Sequence, residues 1–213
     1  MADRLAGTVD FFKVGLELFV AAGPDVVSRL KDKGARVFLD LKLHDIPNQT
    51  ANAVTAAGRL NVDLLTVHTL GGGEMLTAAA QAERGDTKLL GVTILTSHNS
   101  TGLMEIGIDK PVADQVSYLA GLAKESGLDG VVASGREAPV LRSDLGFDFI
   151  IVIPGIRASD ADAGDQKRAV TPAEAVGAGA DYLVVGRPII TATDPITAAR
   201  AIILEMAVLP PVG

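Results

Sequence analysis

Short aliphatic runs alternating with helical periodicity organise this chain. Runs rich in Val, Ile, Leu and Phe, bounded by Gly, Asn or Asp, predict buried strands at about 9–15, 36–42, 63–69, 88–95, 130–134, 148–154 and 182–186. One motif recurs at their starts: a turn residue, an aspartate, then the aliphatic run. It is written Val9-Asp10-Phe11-Phe12, Val62-Asp63-Leu64-Leu65, Gly127-Leu128-Asp129-Gly130-Val131, Gly146-Phe147-Asp148-Phe149-Ile150 and Gly179-Ala180-Asp181-Tyr182-Leu183. Glycine commonly stops a helix, so each copy reads as helix end, short loop, strand. The segment 111–124 is the clearest helix, with Val112, Val116, Leu119, Ala120 and Ala123 on one face. Pro111, Pro24 and Pro172 suit the first turns of their helices.

Strands alternating with helices mean a parallel sheet, open and doubly wound or closed as a barrel. The barrel is favoured by where the polar segments lie. DLKLHD, HTLGGG, LTSHNS, SGRE, PGIR and GRP each follow the C-terminal end of a predicted strand, and in a barrel all such loops face one site. No GxGxxG follows a strand; Gly71-Gly72-Gly73 lacks its spacing. The expectation is one α/β domain over residues 1–213, a TIM (β/α)8-type barrel. Seven strands are found where that fold has eight, and Asp3-Arg4-Leu5-Ala6-Gly7 reads as the last turn of a helix. The chain is therefore expected to be N-terminally incomplete, lacking the first strand and most of the first helix.

Composition narrows the class. Hydrophobic residues make up 48% of the 213, and aromatics only 4%, so the core is aliphatic, as in parallel strands buried on both faces. There is no cysteine, which excludes disulfides and thiolate metal sites. A net charge of −7 argues against nucleic acid or an anionic membrane as partner. No apolar run reaches the roughly 20 residues of a membrane span, and MADRLAGTVD lacks the regions of a signal peptide. A cytoplasmic location is expected.

Candidate chemistry concentrates in Val37–Thr50, VFLDLKLHDIPNQT. Residues i and i+2 of a strand share a face, which sets Asp40 beside Lys42, with Asp45 just beyond. Such charges at the end of a core strand are costly unless paired. The plain alternative is a structural ion pair. Lys13, inside the first strand, adds a second ammonium unless it only reaches out to solvent. Thr93, Thr96 and Ser97 follow the fourth strand and could read a heterocyclic ring or cap the next helix. The polar stretch 156–170, with Gln166, Lys167 and Arg168, has no periodicity and the length of a lid. Gly186-Arg187-Pro188 follows the last strand, where barrels of this kind often hold phosphate. His44, His68 and His98 show no metal-ligand spacing, and no metal is assigned; His68, ending a strand, is expected to orient a loop.

Together FFKVGLELF, FLDLKLHDIPN, VTILTS, DGVVASGREA, PGIR, GDQKR and VVGRPI resemble, in order, segments of the orotidine 5'-monophosphate decarboxylase family, over Asp3 to Glu205. The resemblance implies a homodimeric TIM barrel with shared active sites and neither metal nor organic cofactor, acting on orotidine 5'-monophosphate to give UMP. It implies that Lys13, Asp40, Lys42 and Asp45 form the catalytic array, with Asp45 serving the partner's site. Lys42 would protonate C6 and Asp40 would sit by the substrate carboxylate. Thr96 would contact the pyrimidine and Pro154 would lie near the ring. Gln166 and Arg187, with Gly186, would hold the phosphate. Two departures stand out. Where the family usually has a threonine four residues after the last Asp, this chain has Gln49, with Thr50 one later; both are kept as substrate-binding candidates. The family's first strand, with a ribose-binding Asp, is not found. Relatives such as 3-keto-L-gulonate 6-phosphate decarboxylase and hexulose-phosphate synthase share DxKxxD but use Mg²⁺; the DIPN continuation and the Gln166 loop speak against them. A truncated, non-catalytic nucleotide-binding barrel is the other alternative.

Overall fold

The computed structural model describes residues 1–157 and 170–207. Seven strands follow chain order in one sheet: β1 (Phe11–Gly15), β2 (Arg36–Leu43), β3 (Leu64–His68), β4 (Lys88–Val92), β5 (Gly130–Val132), β6 (Ile150–Pro154) and β7 (Tyr182–Val184). All seven expected strands are present, several shorter at their ends than the aliphatic run. Eleven helices are described: α1 (Ala2–Leu5), α2 (Leu16–Ala22), α3 (Asp25–Lys31), α4 (Pro47–Gly58), α5 (Gly72–Gln81), α6 (Ser100–Met104), α7 (Val112–Glu125), α8 (Ala138–Leu145), α9 (Pro172–Gly177), α10 (Arg187–Ile190) and α11 (Pro195–Met206). Among the described residues no strand precedes β1, and no helix is long and apolar enough to cross a membrane.

The chain divides into two compact units, Met1–Val92 with Leu122–Gly130, and Thr93–Gly121 with Val131–Gly213. In the first, β1–β4 pair in parallel. Val14, Val37, Leu39, Leu65, Val67, Leu89 and Leu90 are fully buried, and Val27, Val54 and Leu76 from α3, α4 and α5 cover them. Each such side chain contributes roughly 1.5–3 kcal/mol by leaving water. Gly91 of β4 has no room for a side chain: a Cβ would lie 2.7 Å from the Thr69 methyl and 3.2 Å from Ala123 Cβ. In the second unit β6 pairs with β7, and Ile151, Val152 and Ile153 are buried, as are Leu141 of α8 and Ala175 of α9. The helix expected over 111–124 begins one residue later. Four of its five face residues, Val116, Leu119, Ala120 and Ala123, are buried; Val112 is half-buried.

The recurrent aspartate acquires a physical meaning. Asp63, Asp129 and Asp181 each bracket the second residue of the preceding even-numbered strand. Their N–H groups donate to the carbonyls of Val37, Leu89 and Ile151 at 2.8, 2.9 and 2.9 Å. Their carboxylates accept the N–H of those same three residues at 2.7, 2.8 and 2.7 Å. Each carboxylate also meets a cation: Lys31 at 3.1 Å, Arg84 at 3.2 Å and Arg142 at 2.6 Å. Arg142 is the most committed of these, donating also to the carbonyls of Gly146, Phe149 and Gly179. These brackets close the N-terminal ends of the strands and leave their C-terminal ends for other work.

Candidate active site

Lys13 on β1 and Asp40 on β2 lie on neighbouring strands whose register places Gly15 opposite Asp40. The Lys13 ammonium reaches Asp40 Oδ2 at 3.1 Å. Gly15 leaves room for it: a Cβ there would sit 2.9 Å from Lys13 Nζ, and the lysine tip would have to shift. Lys42 Nζ donates to Asp40 Oδ1 at 2.8 Å, and the hydroxyl of Thr66 on β3 donates to that same oxygen at 3.1 Å. The Asp40 side chain is only 12% exposed, whereas the two lysine side chains are about a third exposed, at 34% and 37%. Burial alone would push the Asp40 carboxyl up. The charges of Lys42 and Lys13, with their hydrogen bonds, outweigh it and hold the carboxyl below its ordinary value. The cluster therefore presents two ammonium groups around one ionised carboxylate, a net positive site suited to an anionic ligand.

The two-residue spacing works by a different route from regular strand alternation. Lys42 has φ +54°, in the left-handed region, and between Leu39 and Leu43 the pairing with β3 is irregular. Leu39 faces Leu65 and Leu43 faces Val67, so β2 carries two more residues than β3 across this step. A bulge of this kind re-aims a side chain, here Lys42 onto Asp40. Left-handed backbone is costly for a lysine, by about 1–2 kcal/mol. Its N–H is not left to the irregular ladder: it donates to Thr66 Oγ1 at 2.9 Å. Sequence reasoning missed Thr66. Its only signal was a hydroxyl inside an otherwise aliphatic buried run, Leu64-Leu65-Thr66-Val67.

Asp45 stands apart from this cluster. It is exposed, and its carboxylate accepts the N–H of Ile46 at 2.7 Å. Of the two candidates on α4, Gln49 is exposed, while Thr50 is buried and donates its hydroxyl to the Asp45 carbonyl at 3.2 Å. Thr50 thus serves the first turn of α4 and does not present its hydroxyl to solvent. His68 orients a loop as expected: its Nδ1 accepts from Leu70 N, capping the 3-10 turn Thr69–Gly71, and its ring stacks on His44 at 5.5 Å.

In the second unit, Thr93 is fully buried and donates to the Val132 carbonyl at 2.9 Å, a structural bond. The next helix, α6, has Asn99 as its N-cap residue, whose side chain accepts from Gly102 N at 3.0 Å. Thr96 is half-buried in the loop after β4. Pro154 ends β6 and is half-buried, followed by Gly155 at φ +77°. Ile156 then pairs with Val170, so the two ends of the polar stretch are held together. Gln166, like Lys167 and Arg168, lies outside the described residues. Gly186 caps α10, and Arg187, exposed, is its first residue.

The model of the Orotidine 5'-phosphate decarboxylase / HUMPS family matches residues 1–202. The chain is 54% identical over 211 residues to the orotidine 5'-phosphate decarboxylase of Trichlorobacter lovleyi, covering 96% of this chain and 88% of that one. It is 53% identical over 212 residues to that of Syntrophotalea carbinolica, covering 96% and 87%. Among solved structures, orotidine 5'-phosphate decarboxylase from Lactobacillus acidophilus superposes with a TM-score of 0.79 at 42% identity, over 91% of this chain and 85% of that one. The seven parallel strands with their helices are thus a TIM-type α/β barrel. A match to 202 residues from the first, together with relatives above 50% identity over nearly the whole chain, shows that the protein belongs to the orotidine 5'-phosphate decarboxylase / HUMPS family.

Proposed function

We propose that this chain decarboxylates orotidine 5'-monophosphate to UMP in pyrimidine biosynthesis, with Lys42 as the proton donor to C6. The observation that carries the reading is Asp40, held ionised between Lys13 and Lys42. The C6–carboxylate bond breaks, carbon dioxide leaves, and the electron pair stays on C6. No conjugated π system spreads that charge, so fixed positive charge must stabilise it. Lys42 supplies the charge and then the proton, and regains its own from solvent. Asp40 sits beside the substrate carboxylate and holds both ammonium groups in place, at 3.1 and 2.8 Å.

Thr96 contacts the pyrimidine and Pro154 borders it. Gln166, Gly186 and Arg187 take the phosphate, whose binding supplies energy for ordering the site. Gln49 or Thr50 takes the place of the family's threonine; exposure favours Gln49. The protein works in the cytoplasm as a homodimer, with one domain over 1–213 in each subunit and no metal or organic cofactor. Support for the dimer comes from exposed apolar side chains: Leu16, Leu18 and Val20 on α2, and Ile46 beside the exposed Asp45. Asp45 then completes the partner's site. The test is an absorbance assay of orotidine 5'-monophosphate with the purified protein. Stoichiometric UMP and carbon dioxide are expected; absence of turnover, or turnover of a sugar phosphate only with Mg²⁺, refutes the reading.

A further inference from the structure

We infer that Thr66 is a positioning residue of the decarboxylation site: its one hydroxyl locks the left-handed backbone of Lys42 and the carboxylate of Asp40 into a single arrangement. This rests on the reading of Lys13, Asp40 and Lys42 as the catalytic centre. The hydroxyl lies on β3 opposite the place where β2 carries extra residues, and Thr66 is fully buried. It accepts the Lys42 N–H at 2.9 Å and donates to Asp40 Oδ1 at 3.1 Å. A hydroxyl has one proton, and an ionised carboxylate can only accept. The direction of both bonds is therefore set: backbone to hydroxyl, hydroxyl to carboxylate. Lys42 Nζ binds that same carboxylate oxygen at 2.8 Å. The result is a closed circuit in which the lysine is held at its backbone and at its ammonium by groups that Thr66 ties together. Without the hydroxyl, the Lys42 N–H loses its partner at the irregular step, and the strained backbone loses what holds it. The ammonium remains, but its placement over the reacting carbon does not.

Three variants decide the matter. Thr66→Val keeps the shape and removes both bonds, Thr66→Ala removes them without a methyl group facing Lys42, and Thr66→Ser keeps the oxygen. Steady-state kinetics across pH are measured for each, with Lys42→Ala as a control and a thermal melt for folding. Because hydrogen bonds to charged groups are worth about 10–150-fold, kcat of T66V and T66A should fall at least about tenfold. KM should stay within about threefold, and T66S should keep kcat within about threefold. The acid limb of kcat/KM should move to higher pH in T66V, since the ionised carboxylate has lost a donor. The inference is overturned if a folded hydroxyl-free variant keeps wild-type kcat and pH profile. It is equally overturned if T66S loses as much as T66V, or if only T66S folds, which would make the hydroxyl a folding element. Loss of activity in K42A with full activity in T66V sinks this inference alone; full activity in K42A sinks the catalytic reading beneath it.

Discussion

Replacing Lys42 separates chemistry from strain. Lys42→Ala removes the ammonium 2.8 Å from Asp40 but leaves that carboxylate with Lys13 at 3.1 Å and Thr66 at 3.1 Å. Asp40 therefore stays paired, and the fold should survive. Lys42→Gly removes the same ammonium and also relieves the backbone, because φ +54° is free for glycine and costly for alanine. The two variants differ in that strain, about 1–2 kcal/mol, and in the greater unfolded-state entropy of glycine, which offsets part of it and leaves about 1 kcal/mol in favour of glycine. For a chain of this size that corresponds to roughly 2–4 °C in Tm. The expected outcome is that K42G melts about 2–4 °C above K42A, while both lose kcat by at least the 10²–10⁴-fold that positioned acid–base groups supply. Melts are followed by circular dichroism, and turnover by the absorbance of orotidine 5'-monophosphate. Equal melting points would show that the left-handed strain does not exceed the entropy cost of glycine. A kcat within tenfold of wild type in either variant would exclude Lys42 as proton donor.

Other consequences are as direct. With two ammonium groups already within 3.1 Å of Asp40, EDTA should leave activity unchanged; a requirement for added Mg²⁺ would move the chain toward the sugar-phosphate enzymes. If exposed Asp45 serves the partner subunit, mixing inactive Asp45→Asn and Lys42→Ala proteins should restore activity in mixed dimers, each with one intact site; exchange without recovery would refute sharing. Because the Asp40 carboxyl is depressed in the folded state, its contribution to stability is present above the ordinary carboxylate pKa and is lost as pH falls through the folded value. Asp40→Asn should thus be less stable than wild type near neutral pH, with the gap closing in acid titrations; a gap that widens there would contradict the pairing. Arg142→Ala takes a donor from three carbonyls and removes the cation from the Asp181 carboxylate, which keeps only the Ile151 N–H among its described partners. It should cost about 3 kcal/mol in urea unfolding, near the lower bound for a broken buried pair because Asp181 is partly exposed. Its folded fraction should keep wild-type kcat.

Much of this architecture was legible because parallel strands buried on both faces leave a strong mark. The aliphatic runs located all seven strands, and the periodicity of 111–124 located the buried face of α7. The repeated aspartate was visible too, but not its task, since a hydrogen bond to the neighbouring strand's N–H is a long-range fact. Asp10 and Asp148 carry the same local motif, both exposed, without such a bracket being seen among the described residues. The spacing of Asp40 and Lys42 suggested their pairing, yet the reason offered, regular alternation, was not the operative one.

The difference matters for how the site works. In a regular strand, a carboxylate and an ammonium two residues apart would lean on each other along a flat surface, and nothing would hold the lysine except its long, rotatable stem. The bulge replaces that freedom with a backbone constraint at Lys42, secured from β3. Such irregularity is costly to the sheet, so it is tolerated where something else is gained. Here the gain is a charged group whose base is fixed as well as its tip. Preorganised charge is what a carbanionic reaction without an electron sink requires. One of the N-terminal brackets bears on the same site. Asp63 ties the start of β3 to Val37 of β2 through two bonds. Those are the two strands that carry Asp40, Lys42 and Thr66, so the register behind the bulge cannot slip without breaking that bracket.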